Sequence, residues 1–192
     1  QKEGGVDFAT DAQFVAGHSL GEYSALAAAG TFELADTARL LKTRGQAMQA
    51  AVPVGEGAMA ALLGLELEDA QAVAEEAAQG EICTAANDNA SGQVVLSGNR
   101  AAVERAIEIA SERGARRSVL LPVSAPFHCA LMAPAADVMA EALADVKMVA
   151  PAVPLIANVT ASAQNDVNEI RQLLVEQVTG MVRWRESVLY MK

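Results

Sequence analysis

The sequence predicts an α/β fold in which a small subdomain is inserted into a larger body with a parallel sheet. Short apolar runs that suit buried strands alternate with longer segments of helical periodicity, which is the pattern of α/β proteins. Over residues 55–123 the elements follow the order strand, helix, strand, strand, helix, strand, and this order is the ferredoxin-like signature. We therefore assign residues 55–123 to a ferredoxin-like subdomain, and residues 1–54 and 124–192 to the α/β body.

The body opens with a strand, a tight turn and two helices. The apolar run 13–16 predicts a buried strand that ends at Gly17. An alanine-rich helix is predicted over 20–29, where Gly30 closes it. A second helix over 33–51 carries an apolar stripe, and a proline and two glycines then break the chain.

The remaining elements are predicted from the same periodicities and from the turn residues between them. In the subdomain we expect strands over 58–63, 82–86, 94–96 and 118–123, helices over 67–78 and 101–113, and a polar turn over 87–92. In the body we expect a helix near 130–143, a strand over 153–157 and a helix near 167–178.

Composition excludes several classes of protein. The 192 residues include 52% hydrophobic and 20% charged residues, which is a globular mixture. Fourteen Lys and Arg against 24 Asp and Glu give a net charge of −10, which disfavours nucleic acid as a partner. No apolar run is long enough for a membrane span. Two cysteines are too few for a disulfide framework, so we expect a reducing, cytoplasmic setting.

The two ends of the chain suggest a fragment. The chain begins at Gln1 without an initiator Met or a visible secretory leader, and it stops at Lys192 inside a helix-like pattern. We interpret it as a fragment that lacks N-terminal and C-terminal segments of a longer protein.

One short motif points to catalysis. Gly17-His18-Ser19-Leu20-Gly21 is a G-x-S-x-G sequence between a predicted strand and a predicted helix, the context of a nucleophile elbow. The flanking glycines allow a sharp turn, so Ser19 would project from its apex. The N–H of Leu20 begins the helix and is a candidate oxyanion donor. The alternative is that Ser19 only caps the helix.

A serine nucleophile needs a base, and the chain has two histidines, His18 and His128. His18 adjoins Ser19, so its side chain is expected to point away from the hydroxyl. His128 lies in the loop where the chain re-enters the body, and from there it could accept the proton of Ser19. We therefore predict His128 as the general base.

Arg44 is the third candidate. At about 100° per residue it lies at the border of the apolar stripe of the second helix. A guanidinium matches a carboxylate bidentately, so an arginine beside the elbow would select an acyl group with a free carboxylate. The alternative is a solvated helix charge.

Together these residues resemble the malonyl-CoA:acyl carrier protein transacylases of fatty-acid synthesis and the related acyltransferase domains of polyketide synthases. The family's fold, a hydrolase-like parallel-sheet body with an inserted ferredoxin-like subdomain, agrees with the organisation above. The resemblance covers nearly the whole chain and is carried by Gly17–Glu22, Arg44–Met48, Asn87–Gly98, Pro126–His128 and Asn158–Thr160.

The resemblance implies ping-pong transfer of a malonyl group from malonyl-CoA to the phosphopantetheine thiol of acyl carrier protein, with no metal and no permanently bound cofactor. Ser19 would form the malonyl ester, His128 would act as base and Arg44 would hold the malonyl carboxylate. The backbone carbonyl of Gln177 would orient the histidine. Leu20 and Phe127 match malonyl-selective members, and the pocket residues implied are His18, Met48, Phe127, Asn87, Asn89 and Gln93.

Two further expectations concern the partner and the completeness of the site. Acyl carrier proteins of this family are acidic, and Arg113, Arg116 and Arg117 cluster beside a subdomain strand. We predict that Arg116 and Arg117 help to dock the carrier. The family's second oxyanion donor belongs to an N-terminal Gly-Gln-Gly-type loop that this sequence lacks.

Two other functions share some of these features. An α/β-hydrolase esterase has the same elbow, but it places Asp or Glu and then a late histidine after the serine. A non-catalytic carrier-docking module would keep the fold without the chemistry. The joint presence of Ser19, His128 and Arg44 argues against the second alternative.

Overall fold

The computed structural model of the protein describes residues 4–5 and 7–192. Residues 1–3 and 6, which the sequence analysis assigns to the body, lie outside the described residues. The first part of the body is helical. It comprises α1 (Phe8–Asp11), α2 (Leu20–Ala28) and α3 (Leu34–Ala50), so both predicted helices are confirmed to within one residue at each end.

The middle of the chain forms an antiparallel sheet with two helices. In chain order the elements are β1 (Gly57–Leu63), α4 (Leu67–Ala78), β2 (Cys83–Ala90), β3 (Gln93–Asn99), α5 (Arg100–Glu112) and β4 (Arg117–Leu120). The strands lie in the order β2-β3-β1-β4, and each neighbouring pair is antiparallel. Apolar residues of α4 and α5 pack against one face of the sheet and form a core of their own.

The polar turn predicted over 87–92 is wrong for its first four residues. Asn87–Ala90 continue β2, and the hairpin turn is confined to Ser91 and Gly92. Two register shifts accommodate the polar residues in the strand. Asp88 is buried, and its carboxylate accepts from the Nε–H of Arg185 at 2.9 Å, so a tertiary contact overrides the local preference for a turn.

The body is completed by the rest of the chain. A 3₁₀ turn (Ala130–Met132) precedes α6 (Ala133–Ala144), β5 (Leu155–Ile156), β6 (Ala163–Gln164), α7 (Val167–Glu176) and α8 (Trp184–Met191). Helices α6 and α7 pack with α2 and α3 around a second core, whereas α8 lies against β2. None of the helices among the described residues has the length and apolar character that crossing a bilayer requires.

The strands predicted over 13–16 and 153–157 are much shorter than expected. Val15 makes a single parallel bridge to Leu155, with its N–H donating to the Pro154 carbonyl at 2.9 Å and its carbonyl accepting from Ile156 at 2.9 Å. On its other edge β5 pairs with β6 in an antiparallel sense. Within residues 4–5 and 7–192 the body therefore has one parallel bridge in place of a continuous parallel sheet. That bridge still places the next residues, 17–19, beside the segment that follows β5.

The second face of the antiparallel sheet carries a third, smaller apolar cluster that joins the sheet to the body. Met59, Ala86 and Val95 pack there against apolar residues that include Val123 and Phe127, from the segment that returns to the body. This contact positions the cavity described below.

Candidate active site

Ser19 lies on a strained turn immediately before α2. Its φ of 53° is in the left-handed region, and its side chain makes no capping hydrogen bond, so the cap alternative is not what the structure shows. A Cβ at Gly17 would lie 2.0 Å from the carbonyl carbon of Gly21, whereas a Cβ at Gly21 would meet no atom within 4 Å. Only Gly17 is therefore needed to avoid a clash, and the expectation for Gly21 is wrong on this point.

The turn brings Ser19 to His128, which is 109 residues away in the chain. The Ser19 Oγ lies 2.8 Å from the Nε2 of His128. The Nδ1 of His128 lies 2.8 Å from the Gln177 carbonyl oxygen. A carbonyl only accepts, so Nδ1 carries the proton and Nε2 accepts from the serine hydroxyl. Burial, with a smaller contribution from the charge of Arg44, lowers the pKa of His128 to about 4, so the imidazole is neutral at pH 7 and able to act as a base.

Arg44 is buried and reaches the same hydroxyl. Its Nη2 donates to the Ser19 Oγ at 3.0 Å and to the Gln177 Oε1 at 3.0 Å. The guanidinium carbon lies 5.9 Å from the ring centroid of Tyr23, within the range of a cation–π contact. The alternative of a solvated helix charge is therefore wrong, because the Arg44 guanidinium is buried and contacts the Ser19 hydroxyl oxygen.

Two residues without a predicted role, Glu22 and Asn158, complete the surroundings of the serine. Glu22 is buried and accepts from the Asn158 N–H at 2.8 Å, and the Gln177 side-chain amide also donates to its carboxylate. Asn158 accepts from the Ser19 N–H at 2.7 Å. Burial raises the pKa of Glu22, whereas these hydrogen bonds and the charge of Arg44 oppose that effect. Both of its oxygens face N–H donors, which is the arrangement of an ionised carboxylate.

A local signal for Glu22 was present in the sequence. Ser19-Leu20-Gly21-Glu22 fits the S-x-x-E capping box, in which the glutamate returns to the N–H of the cap residue. In the structure Asn158 takes that N–H, and Glu22 turns to Asn158 and Gln177 instead. The motif identified an unusual glutamate, but its partners are distant in sequence.

A cavity of about 420 Å³ opens beside these groups. Arg44 is the only arginine, lysine, aspartate or glutamate among the described residues that line it, so an anion bound there would meet one buried cation. The lining residues are His18, Ser19, Leu20, Arg44, Gly45, Met48, Met59, Asn87, Leu121, Val123, Phe127 and His128.

The lining includes four of the six predicted pocket residues. Asn89 contacts the pocket through His18, whose Nε2–H donates to its Oδ1 at 2.8 Å, and the His18 ring packs 5.5 Å from Trp184. Gln93 is exposed at the far end of β3, opposite Leu63, so its assignment to the pocket is wrong. Alternation along β3 places Gln93 on the same sheet face as Val95, but Gln93 lies at the hairpin end of the strand, beyond the cavity.

The remaining predicted residues lie at the surface or at the elbow. Leu20 begins α2, its side chain is exposed, and its N–H has no acceptor within the described part of the chain. Arg116 and Arg117 are exposed, whereas Arg113 forms an ion pair with Glu76. Residues 4–5 and 7–192 contain no group of three or more His, Cys, Asp or Glu that could hold a metal ion.

A serine on a strained turn, bonded to a neutral histidine in an α/β fold, defines the class of proteins with a Ser-His nucleophile elbow. The model of the acyl transferase domain family matches residues 5–190. The chain belongs to this family.

Individual relatives are similar over most of the chain. The malonyl CoA-acyl carrier protein transacylase of Escherichia coli strain K12 is 49% identical over 177 residues, which are 92% of this chain and 57% of that protein. The chain thus spans little more than half the length of such curated relatives.

Solved structures of related proteins are also similar to this chain. The acyl-carrier-protein-S-malonyltransferase of Bartonella henselae is 58% identical, with a TM-score of 0.96 over 99% of this chain and 60% of its own. A malonyl-transacylase in complex with a type II polyketide synthase acyl carrier protein is 42% identical, with a TM-score of 0.94 over 100% of this chain and 60% of its own.

Proposed function

We propose that the protein carrying this chain transfers a malonyl group from CoA to the phosphopantetheine thiol of an acyl carrier protein, through a malonyl ester of Ser19. The observation that carries the proposal is that His128 and Arg44 both contact the hydroxyl oxygen of Ser19. The Ser19 Oγ lies 2.8 Å from the His128 Nε2 and 3.0 Å from the Arg44 Nη2. A base and a cation that can bind a carboxylate thus both lie within hydrogen-bond distance of the nucleophile.

The chemistry follows from the hydrogen-bond directions. The Ser19 Oγ attacks the thioester carbonyl while its proton passes to the Nε2 of His128. The Leu20 N–H, at the positive end of α2, stabilises the oxyanion. The tetrahedral intermediate collapses by breaking the carbon–sulfur bond, and the CoA thiolate takes the proton from His128. In the second half the carrier thiol gives its proton to His128 and attacks the ester, and Ser19 leaves with that proton.

Recognition of the malonyl carboxylate is assigned to Arg44. The cavity has the size of a small-ligand site, and Arg44 is its one cationic side chain among the described lining residues. Within the described chain, the buried Nε–H of Arg44 has no partner. It is therefore a donor available to a carboxylate oxygen.

Arg44→Ala is expected to lower kcat/KM for malonyl-CoA by about 30-fold to 10³-fold, since removal of one partner of a buried charge pair has an effect of that order. The kcat/KM for acetyl-CoA, which has no carboxylate, should fall much less. The preference of the enzyme for malonyl-CoA over acetyl-CoA therefore decreases. Rates of acyl-serine formation with both thioesters measure the change. The matched control is Arg39→Ala, an exposed arginine on the same helix. An unchanged preference in Arg44→Ala would remove the assigned role.

The esterase alternative fits the site less well. The Nδ1 of His128 faces the Gln177 carbonyl and not the Asp or Glu of a hydrolase triad. The relatives described above are also named as malonyl transacylases. The docking-only alternative leaves the Ser19–His128 hydrogen bond and the buried Arg44 without a purpose.

The domain organisation remains our proposal. We assign residues 55–123 to a ferredoxin-like subdomain and residues 1–54 and 124–192 to a hydrolase-like body. The strand order β2-β3-β1-β4 and the order of helices and strands support the first assignment, and the separate apolar cores support the division.

For the carrier we propose a docking role of Arg117, the first residue of β4, and of Arg116 immediately before it. Both side chains are exposed, and neither has an ion-pair partner among the described residues, whereas Arg113 is paired with Glu76. The similar malonyl-transacylase in complex with an acyl carrier protein supports a protein partner. Two unpaired cations on a chain of net charge −10 suit an acidic surface.

Arg116→Glu/Arg117→Glu is expected to raise the KM for carrier protein about tenfold, with an effect that weakens at high salt. Malonyl loading of Ser19 should stay within twofold, because neither arginine lines the cavity. Steady-state transfer at two ionic strengths measures this. The control is Arg39→Glu/Lys42→Glu, which makes the same change in net charge on α3, away from β4. If the two double variants have the same KM, the docking proposal is wrong.

We also propose a cytoplasmic setting and no permanently bound cofactor. Cys83 and Cys129 are both buried as free thiols, which suits a reducing compartment. Acyl transfer from a thioester to serine and then to a thiol requires only the base, the oxyanion donor and the cation named above.

A further inference from the structure

Glu22 is the one buried carboxylate beside the elbow, and the chemistry above does not use it. Its side chain is only 1% exposed, and a buried carboxylate must be fully hydrogen-bonded. One oxygen accepts from the Asn158 N–H at 2.8 Å, and the other accepts from the side-chain amide of Gln177. Glu22 does not line the cavity, so any effect on the substrate must pass through these partners.

The Gln177 amide connects Glu22 to Arg44. Its Nε2 donates to Glu22 and, at 3.0 Å, to the Ser19 carbonyl, and its Oε1 accepts from the Arg44 Nη2 at 3.0 Å. A carboxylate can only accept and a guanidinium can only donate. A single amide orientation satisfies both neighbours, with the nitrogen toward Glu22 and the oxygen toward Arg44.

The contact that orients His128 is independent of this amide. His128 is held by the backbone carbonyl of Gln177, at 2.8 Å from its Nδ1. A rotation of the side-chain amide leaves that carbonyl in place. The Ser19–His128 pair and the placement of Arg44 can therefore be perturbed separately.

We propose that Glu22 is a positioning residue that fixes the orientation of the Gln177 amide and thereby holds the guanidinium of Arg44 at the Ser19 hydroxyl. This inference rests on the proposed function, because it assigns to Glu22 the selection of acyl groups that carry a carboxylate. Glu22 touches no substrate atom and takes no part in proton transfer.

Glu22→Gln tests this with almost no change in shape. Glutamine supplies one acceptor where glutamate supplies two. The backbone N–H of Asn158 cannot turn away, so it keeps the oxygen, and the new NH₂ faces the NH₂ of Gln177. Turning the Gln177 amide would bring its oxygen against the Ser19 carbonyl, which accepts from its Nε2 at 3.0 Å. The Gln177 side chain must therefore withdraw, and Arg44 loses its acceptor.

The experiment compares two reactions of Ser19 in the protein at its full natural length. Malonyl-CoA reports on carboxylate binding by Arg44 and on the Ser19–His128 pair, whereas a neutral alkyl fluorophosphonate reports on the pair without offering Arg44 a carboxylate. In Glu22→Gln we expect malonyl loading to fall about 30-fold and fluorophosphonate labelling to stay within threefold. Glu108→Gln, an exposed glutamate on α5, should change neither rate.

A second variant keeps the test valid if Glu22→Gln does not fold. Gln177→Met retains the backbone carbonyl and removes the amide, so it should show the same split between the two reactions. A parallel fall of both rates, or no change in either, would overturn the positioning role. If the unmutated protein is labelled by the fluorophosphonate but not by malonyl-CoA, the proposed function itself fails, and the inference fails with it.

Discussion

Replacing His128 with alanine is expected to slow the acylation of Ser19 by malonyl-CoA about 10³-fold to 10⁴-fold, the upper range for loss of a general base and of its pairing with a nucleophile. The serine hydroxyl donates to the Nε2 of His128 at 2.8 Å. Without that acceptor the proton has no neutral base, because the other contact of the hydroxyl is the cationic Arg44.

The measurement is the rate of acyl-enzyme formation in rapidly quenched samples, with thermal unfolding as a check on the fold. His18→Ala provides the contrast, because the Nε2 of His18 is bonded to Asn89 and not to Ser19. We expect His18→Ala to lower the rate of acyl-enzyme formation by no more than about tenfold, because His18 only lines the cavity. A His128→Ala protein that retained a tenth of the rate would show that the base lies elsewhere.

Gly17→Ala is expected to have the second large effect, on stability and activity together. Its Cβ would lie 2.0 Å from both the carbonyl carbon and the oxygen of Gly21, and 2.6 Å from the backbone nitrogen of Glu22. These are backbone atoms of α2, so the clash can be relieved only by moving the elbow. We expect the free energy of unfolding to fall by about 3 kcal/mol, the upper range for overpacking, and acylation to fall with it.

Gly21→Ala is the matched control within the same motif. A Cβ there meets nothing within 4 Å, and the position lies inside α2. Alanine in a helix is more stable than glycine by about 0.5–1 kcal/mol, so Gly21→Ala should be neutral or slightly stabilising. Urea unfolding of both variants measures the difference. Equal stabilities would contradict the close approach of Gly17 to α2.

Local sequence signals predict most of the helices, and they also predict the turn that carries Ser19. The periodicity over Leu67–Ala78 reproduces the whole of α4, because one apolar face meets a continuous sheet. Ser19 is identified by its motif, and His128 follows because the chain has only two histidines. Arg44 is found through its helical phase and through the resemblance. These are properties of short segments or of simple counts.

Features that depend on distant partners could not be predicted in this way. Asn87–Ala90 look like a turn, but Arg185 and the Val182 backbone hold part of this segment as a strand. Glu22 fits a capping box, but Asn158, 136 residues away in the chain, takes one of its oxygens. Such contacts are set by tertiary packing, and a single segment contains no signal for them.

The most direct test of the central claim is the mass spectrum of the peptide that contains Ser19, after incubation of the full-length protein with malonyl-CoA in the absence of carrier. We predict one malonyl group on Ser19, lost when carrier protein with a phosphopantetheine thiol is added, and no label in Ser19→Ala. An unlabelled Ser19 in a folded protein that still reacts with a fluorophosphonate would contradict the account.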